Sequence, residues 1–135
     1  MATDFRDLRV WEESMALAEA VYTLAGHFPV DERYGLAAQI KCAAVSVPSC
    51  IAEGNARAST RDYLRFLSMA KGSLAEVQTQ LLLAMRLGFV ESTVVDPVLD
   101  KARSVSLLLQ ALRKALSNKL LRPDHSPFPL PPPPL

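Results

Sequence analysis

The side chains able to do chemistry in this 135-residue chain are few, and most of them are cations. Arg57, Arg61 and Arg65 recur at four-residue intervals with Lys71 close behind, and Arg113, Lys114, Lys119 and Arg122 crowd a second stretch. Spacing by four puts Arg61 and Arg65 on one face of a helix, where guanidinium groups match phosphate oxygens. The chemistry on offer is therefore phosphate binding, of RNA or DNA, with an affinity that falls as salt rises. A solvated helix surface has the same composition, and bases in a last turn also complement the helix dipole. Repetition of the patch in a symmetric assembly is what would turn it into a basic band.

Enzyme machinery is not spelled out. His27 and His125 sit in no His-Glu-x-x-His, Cys-x-x-Cys or Asp-x-Asp pattern, and there is no glycine-rich phosphate loop. Glu53 reads as a helix-end residue paired with a base, and a buried cluster around Glu53 and Glu76 is the one catalytic arrangement left to look for. No metal and no cofactor is implied. Cys42 and Cys50 on one helix lie about 12 Å apart along its axis, beyond disulfide reach, so both read as buried free thiols.

The elements that must position these residues are helices. Half the chain is apolar, with five glycines, and three of its ten prolines fall before residue 100. Asp7 can cap a first helix over 8–27 whose stripe is Trp11, Met15, Ala18, Tyr22 and Ala25, ended by Phe28-Pro29. Asp31 then caps a second helix over 32–54, which stops at Gly54-Asn55.

Inside it lies the almost uncharged run 43–54, with Ser46, Pro48, Ser49 and Gly54 as its hinge residues. Pro48 has no N–H, so the Ala44 carbonyl loses its partner. Either one helix is kinked at Pro48, the preferred reading, or two helices meet there with Ser46 capping the second. The Ser46 and Ser49 hydroxyls, or a water, can cover the freed carbonyl.

Ser59-Thr-Arg-Asp62 is a capping pattern that opens a third helix over 60–87, with Tyr63, Phe66, Leu67, Ala70, Leu74, Val77, Leu81, Ala84 and Leu87 in register and Gly88 as its stop. Gly72-Ser73 marks a close helix crossing. Thr93-Val-Val-Asp96 opens a fourth helix over 94–120, through Val98, Val105, Leu109, Leu112, Leu116 and Leu120. The fold class is all-α: an antiparallel up-and-down four-helix bundle over 1–122, with the second helix kinked. The stretch 123–135, with seven prolines in 13 residues, follows as an extended polyproline tail. That tail is either a flexible appendage or a segment that docks on a neighbour or on a partner's aromatic groove.

A net charge of +1 hides an uneven distribution: seven acids face Arg6 and Arg9 over 1–32, while six bases face Asp124 alone over 101–135. Such blocks can pair within or between subunits. No run is long and apolar enough to cross a membrane, and no signal peptide opens the chain, so the expected location is the cytoplasm. Leu81-Leu82-Leu83-Ala84-Met85 and Leu107-Leu108-Leu109 sweep a wider arc than one bundle core can cover, which predicts a homo-oligomer held by helices three and four. The rival expectation is a protein-interaction module without nucleic-acid affinity, using the tail or those leucines.

Asp4-Phe-Arg-Asp-Leu-Arg-Val-Trp11, Phe28-Pro29 with Glu32-Arg-Tyr-Gly-Leu36, Gln39-Ile-Lys41, Ser46-Val-Pro-Ser-Cys-Ile-Ala-Glu-Gly54 and Ala70-Lys-Gly-Ser-Leu-Ala-Glu76 occur in this order. Over residues 4–120 the chain resembles the bacterial four-helix-bundle proteins first noticed in intervening sequences of large-subunit ribosomal RNA genes, to which the accessory variability protein of diversity-generating retroelements looks related. The resemblance implies a homopentameric ring and, by way of the retroelement relative, binding of nucleic acid and of a reverse transcriptase through a basic surface. Cys50 stands where that motif usually has Asn, and Cys42 where it has a second base after Lys41, which removes one cation from helix two.

Overall fold

The computed structural model describes residues 4–121. Arg122 and the proline-rich stretch 123–135 lie outside the described residues. Four helices follow one another: α1 (Arg9–Ala25), α2 (Leu36–Asn55), α3 (Thr60–Arg86) and α4 (Ser92–Leu120). α1 packs on α2 and α4, and α3 packs on the same two, so the helices form a closed antiparallel square. The core is one cluster, with Leu17, Leu24, Ile40, Ile51, Leu67, Leu74, Leu81 and Leu109 among its fully enclosed side chains.

Local chemistry sets the ends. Ser59 accepts the Asp62 N–H at 3.1 Å and opens α3. Gly88, at φ +76°, closes it: the Phe89 N–H reaches the Ala84 carbonyl at 3.0 Å and the Gly88 N–H reaches Met85, a pair of bonds that needs a left-handed residue.

The other three predicted caps are corrected. Asp7 does not cap α1; it ends a 3₁₀ turn, Phe5–Asp7, capped by Asp4, and Leu8 precedes α1 with no side-chain cap. Asp31 lies within a second 3₁₀ turn, Val30–Glu32, and α2 begins four residues later than expected, with Glu32 accepting the Leu36 N–H at 3.1 Å. Thr93 and Asp96 are both inside α4, which starts at Ser92 behind an uncapped Glu91. Two short turns thus absorb polar residues that would otherwise have been helix caps.

α2 runs through Pro48 as one helix, which decides against two helices meeting there. Its partner α3 approaches closely at two places. Gly54 lies against α3 so tightly that a Cβ there would sit 2.8 Å from Phe66 Cβ and 3.0 Å from the Tyr63 ring. Farther along, the Ser46 hydroxyl meets the Ser73 hydroxyl at 2.9 Å, and Cys50 Sγ lies 3.6 Å from Ser46. Among the described contacts neither Ser46 nor Ser49 bonds the Ala44 carbonyl, so the serine half of that expectation is not met; Ser46 is turned across to α3 instead. Gly72 is exposed with open space around it, so the crossing assigned to Gly72-Ser73 belongs to Ser73 alone.

Burial confirms the α3 stripe from Phe66 to Ala84 and overturns its last member, since Leu87 is exposed. On α1 the buried face is Val10, Ser14, Leu17, Ala18, Val21, Leu24 and Ala25. The stripe read from the sequence is therefore turned by one position: Trp11 and Met15 are half-buried and Tyr22 is exposed. Ser14 survives at zero exposure because its hydroxyl donates to the Val10 carbonyl within α1. Cys50 is buried, but Cys42 is exposed, so only one of the two thiols is a core residue.

Candidate functional site

The antiparallel order brings the start of α3 beside the end of α4, and that places most of the candidate cations on one side of the bundle. Lys119 lines one small cavity with Arg57 and an adjoining one with Arg61. One stretch higher, Lys71 and Arg113 line a third cavity, of about 230 Å³, with Ser106 and Gln110. Arg61 and Lys71 are ten residues apart on α3, about 15 Å along the axis.

Each cluster is held by a specific contact. Arg113 reaches from α4 to α3, donating from Nη2 to the Ser68 hydroxyl at 3.2 Å, while its Nε is closed off without an acceptor among the described residues. Arg57 and Arg65 both lie over the Phe66 ring, at 4.7 and 5.1 Å from its centroid, so one buried ring orients two guanidinium groups. Arg65 is partly neutralised by Asp62 at 3.8 Å. Among the described residues no carboxylate lies in ion-pair range of Arg57, Arg61, Lys71, Arg113, Lys114 or Lys119.

The eight sequence candidates therefore divide. Arg57, Arg61 and Lys119 converge, Lys71 and Arg113 converge, and Arg65 is tied to Asp62 and Phe66. Lys114 is exposed and lines neither cluster. Arg122 lies outside the described residues. Ser68, which fixes Arg113, escaped the sequence reading because only the register of α3 against α4 brings it there.

The hinge residues serve two different surfaces instead of one site. Ser46 and Gly54 face α3, whereas Pro48 and Ser49 line a groove against α1. That groove, of about 610 Å³, runs between Trp11, Met15 and Tyr22 on α1 and Val45, Pro48 and Ala52 on α2, and its walls are almost wholly apolar. Lys41 caps its upper end, with the ammonium 5.1 Å from the Tyr22 ring centroid. The signal for it was the misassigned α1 stripe: α1 carries two apolar faces, and the outer one has no helix over it.

Glu53 and Glu76 are both exposed and do not meet, lying at separate levels of the α2–α3 pair. No described base pairs with Glu53, against the expectation of a helix-end ion pair. Among the described residues there is no group of three His, Cys, Asp or Glu able to hold a metal ion, and no helix is long and apolar enough to cross a membrane.

Comparison with known proteins places this architecture. A crystal structure from Bacteroides thetaiotaomicron VPI-5482, of a protein of unknown function from the S23 ribosomal protein family, is similar over 78% of this chain and 98% of that one, with TM-score 0.72 and 20% identity. That likeness is one of fold. A comparison with curated proteins gives no match. The family model of the 23S rRNA-intervening sequence protein matches residues 6–111, from the turn before α1 to the last third of α4. The bundle, the motif order and this match together make the chain a member of the 23S rRNA-intervening sequence protein family.

Proposed function

We propose that this protein is a non-enzymatic cytoplasmic scaffold: a homo-oligomer, pentameric by its family resemblance, that binds RNA or DNA through the basic side formed by α3 and α4. The observation that carries the reading is the convergence of Arg57, Arg61 and Lys119, and of Lys71 and Arg113, with no described carboxylate in ion-pair range of any of them. A cation with no carboxylate partner among the described residues keeps its full charge for an outside one.

The exposed leucines support self-association. Leu82, Leu83 and Leu107 are 44%, 43% and 57% exposed, a concentration of large apolar side chains on α3 and α4 that a second copy would cover. Repeating the basic side around a ring multiplies modest attraction into useful affinity. A reverse transcriptase or another protein then docks on the assembly as a partner of the scaffold.

Two measurements test this. Light scattering at micromolar concentration gives a multiple of the chain mass, and Leu82→Asp with Leu107→Asp reduces it to one; a wild-type monomer removes the scaffold. An RNA or DNA mobility shift at low and high salt shows binding that weakens with salt, and no shift even at low salt removes the nucleic-acid role. The alternative of a pure protein-interaction module is favoured by the α1–α2 groove, and it predicts retained assembly with no shift.

A further inference from the structure

The α1–α2 groove has the dimensions and chemistry of a polyproline site, and the chain carries a polyproline segment of its own. From Trp11 to Tyr22 the groove spans 11 residues of α1, about 16 Å, which five or six residues of polyproline II would fill. Two aromatic residues, Trp11 and Tyr22, line it at its two ends along α1, with Met15, Val45 and Pro48 between, and Glu19 is the one charged side chain in its lining. Aromatic-lined grooves of this kind receive proline-rich chains because such chains are already extended and lose little entropy on docking.

The position of the C-terminal segment fits. α4 ends at Leu120, at the same end of the bundle as Leu8, which lines a cavity together with Lys119. Trp11, at the lower mouth of the groove, is one helical turn above Leu8. α1 has α4 on one side and α2 on the other, so a chain leaving α4 needs to cross about one helix diameter, some 10 Å, to enter the groove. Residues 122–135 extend to roughly 43 Å as polyproline II, which covers that crossing and the groove with residues to spare. Their charged or titratable side chains, Arg122, Asp124 and His125, precede Phe128, so the part that arrives at the apolar groove is the uncharged Phe128-Pro-Leu-Pro-Pro-Pro-Pro134.

We infer that residues 128–134 of this chain dock in the α1–α2 groove of their own copy, with Phe128 and Leu130 as the side-chain anchors and Trp11 and Tyr22 as the platform. The docked segment covers the outer apolar face of α1 and leaves the α3–α4 side, opposite it in the square, open for other contacts.

Trp11 is the single tryptophan, so its fluorescence reports the groove directly. In the full-length chain, acrylamide quenching of Trp11 is measured in the wild type and in Phe128→Ala/Leu130→Ala, whose changes lie outside all four helices. The quenching constant rises roughly twofold in the variant, as expected when an aromatic groove loses its occupant, with a red-shifted emission and unchanged helical circular dichroism. A synthetic peptide of residues 123–135 added to the variant restores the protection. Equal quenching in the two proteins overturns the inference and leaves the groove to another partner. Protection in the wild type that disappears on dilution also overturns it, because the groove is then covered by a second copy.

Discussion

The α2–α3 seam and the basic α3–α4 end are built from neighbouring stretches of one helix, and they behave as opposites. Along the seam, small residues bring the backbones together: Gly54 touches Phe66 and Tyr63, Ser46 meets Ser73, and Ala44 and Ala70 are fully enclosed. Toward the end of α4 the same bundle loosens. Leu112 and Leu116 are half-buried, Leu120 is exposed, and the polar contact across the gap is Arg113 with Ser68. The seam spends its side chains on one another, whereas the α4 end leaves charges over. In the proposed function, stability and binding fall to different residues, which makes them separable by mutation.

The largest expected effect is on the seam side. Ile51→Ala or Leu81→Ala, each at zero exposure, removes a side chain that the core cannot replace and lowers stability by about 2–5 kcal/mol, read as a lower urea midpoint. Leu120→Ala, at the loose end, changes stability by less than about 0.5 kcal/mol. Equal losses at the two places would erase the contrast.

Next comes Gly54→Ala. The new Cβ would meet Phe66 Cβ at 2.8 Å, so α2 and α3 must separate, at about 1–3 kcal/mol in a thermal melt. Gly72→Ala is the control, because a Cβ there meets nothing within 4 Å and a helix interior favours Ala by about 1 kcal/mol. That variant is expected to be more stable than wild type. A smaller loss, about 1 kcal/mol, follows from Ser46→Ala, which leaves the Ser73 hydroxyl without its partner.

The smallest effect lies at the N-terminal turn. The Arg6 guanidinium and then the Arg6 backbone N–H hold the Asp4 carboxyl at about 2, below its ordinary 3.8. A depressed carboxylate stabilises the folded turn above pH 3.8, and this contribution is lost as pH falls through about 2. Phe5 in that turn packs edge-on against Trp11 at 5.3 Å, so Trp11 emission changes over this window in the wild type and the change is absent in Asp4→Asn.

The two regions were unequally legible in the sequence. α3 could be read almost to the residue because its longest unbroken helical-spacing stripe, Phe66 to Ala84, is the one that turns inward, while Met69, Leu82 and Leu83 fall outside it. α1 could not. Val10, Leu17, Val21 and Leu24 form one apolar arc and Trp11, Met15 and Tyr22 an adjoining one, with Ala18 and Ala25 shared between them, and which arc turns inward is decided by α2 and α4. Glycine showed the same limit: Gly54 and Gly72 look alike in a helix, but only one faces a neighbour. The cations were legible as residue types, and the arginines at the start of α3 were legible as a cluster. Their pairing with Lys119 and Arg113 was not, since it depends on which turns of α3 and α4 come level.

Salt-dependent binding of a labelled RNA or DNA oligonucleotide to the wild type and to Arg57→Ala/Arg61→Ala/Arg113→Ala/Lys119→Ala tests the central division of labour most directly. The account predicts that the variant keeps the wild-type melting temperature, binds more weakly at low salt, and has a log–log salt slope shallower by about one for each phosphate contact removed. An unchanged slope and affinity in a folded variant would contradict it.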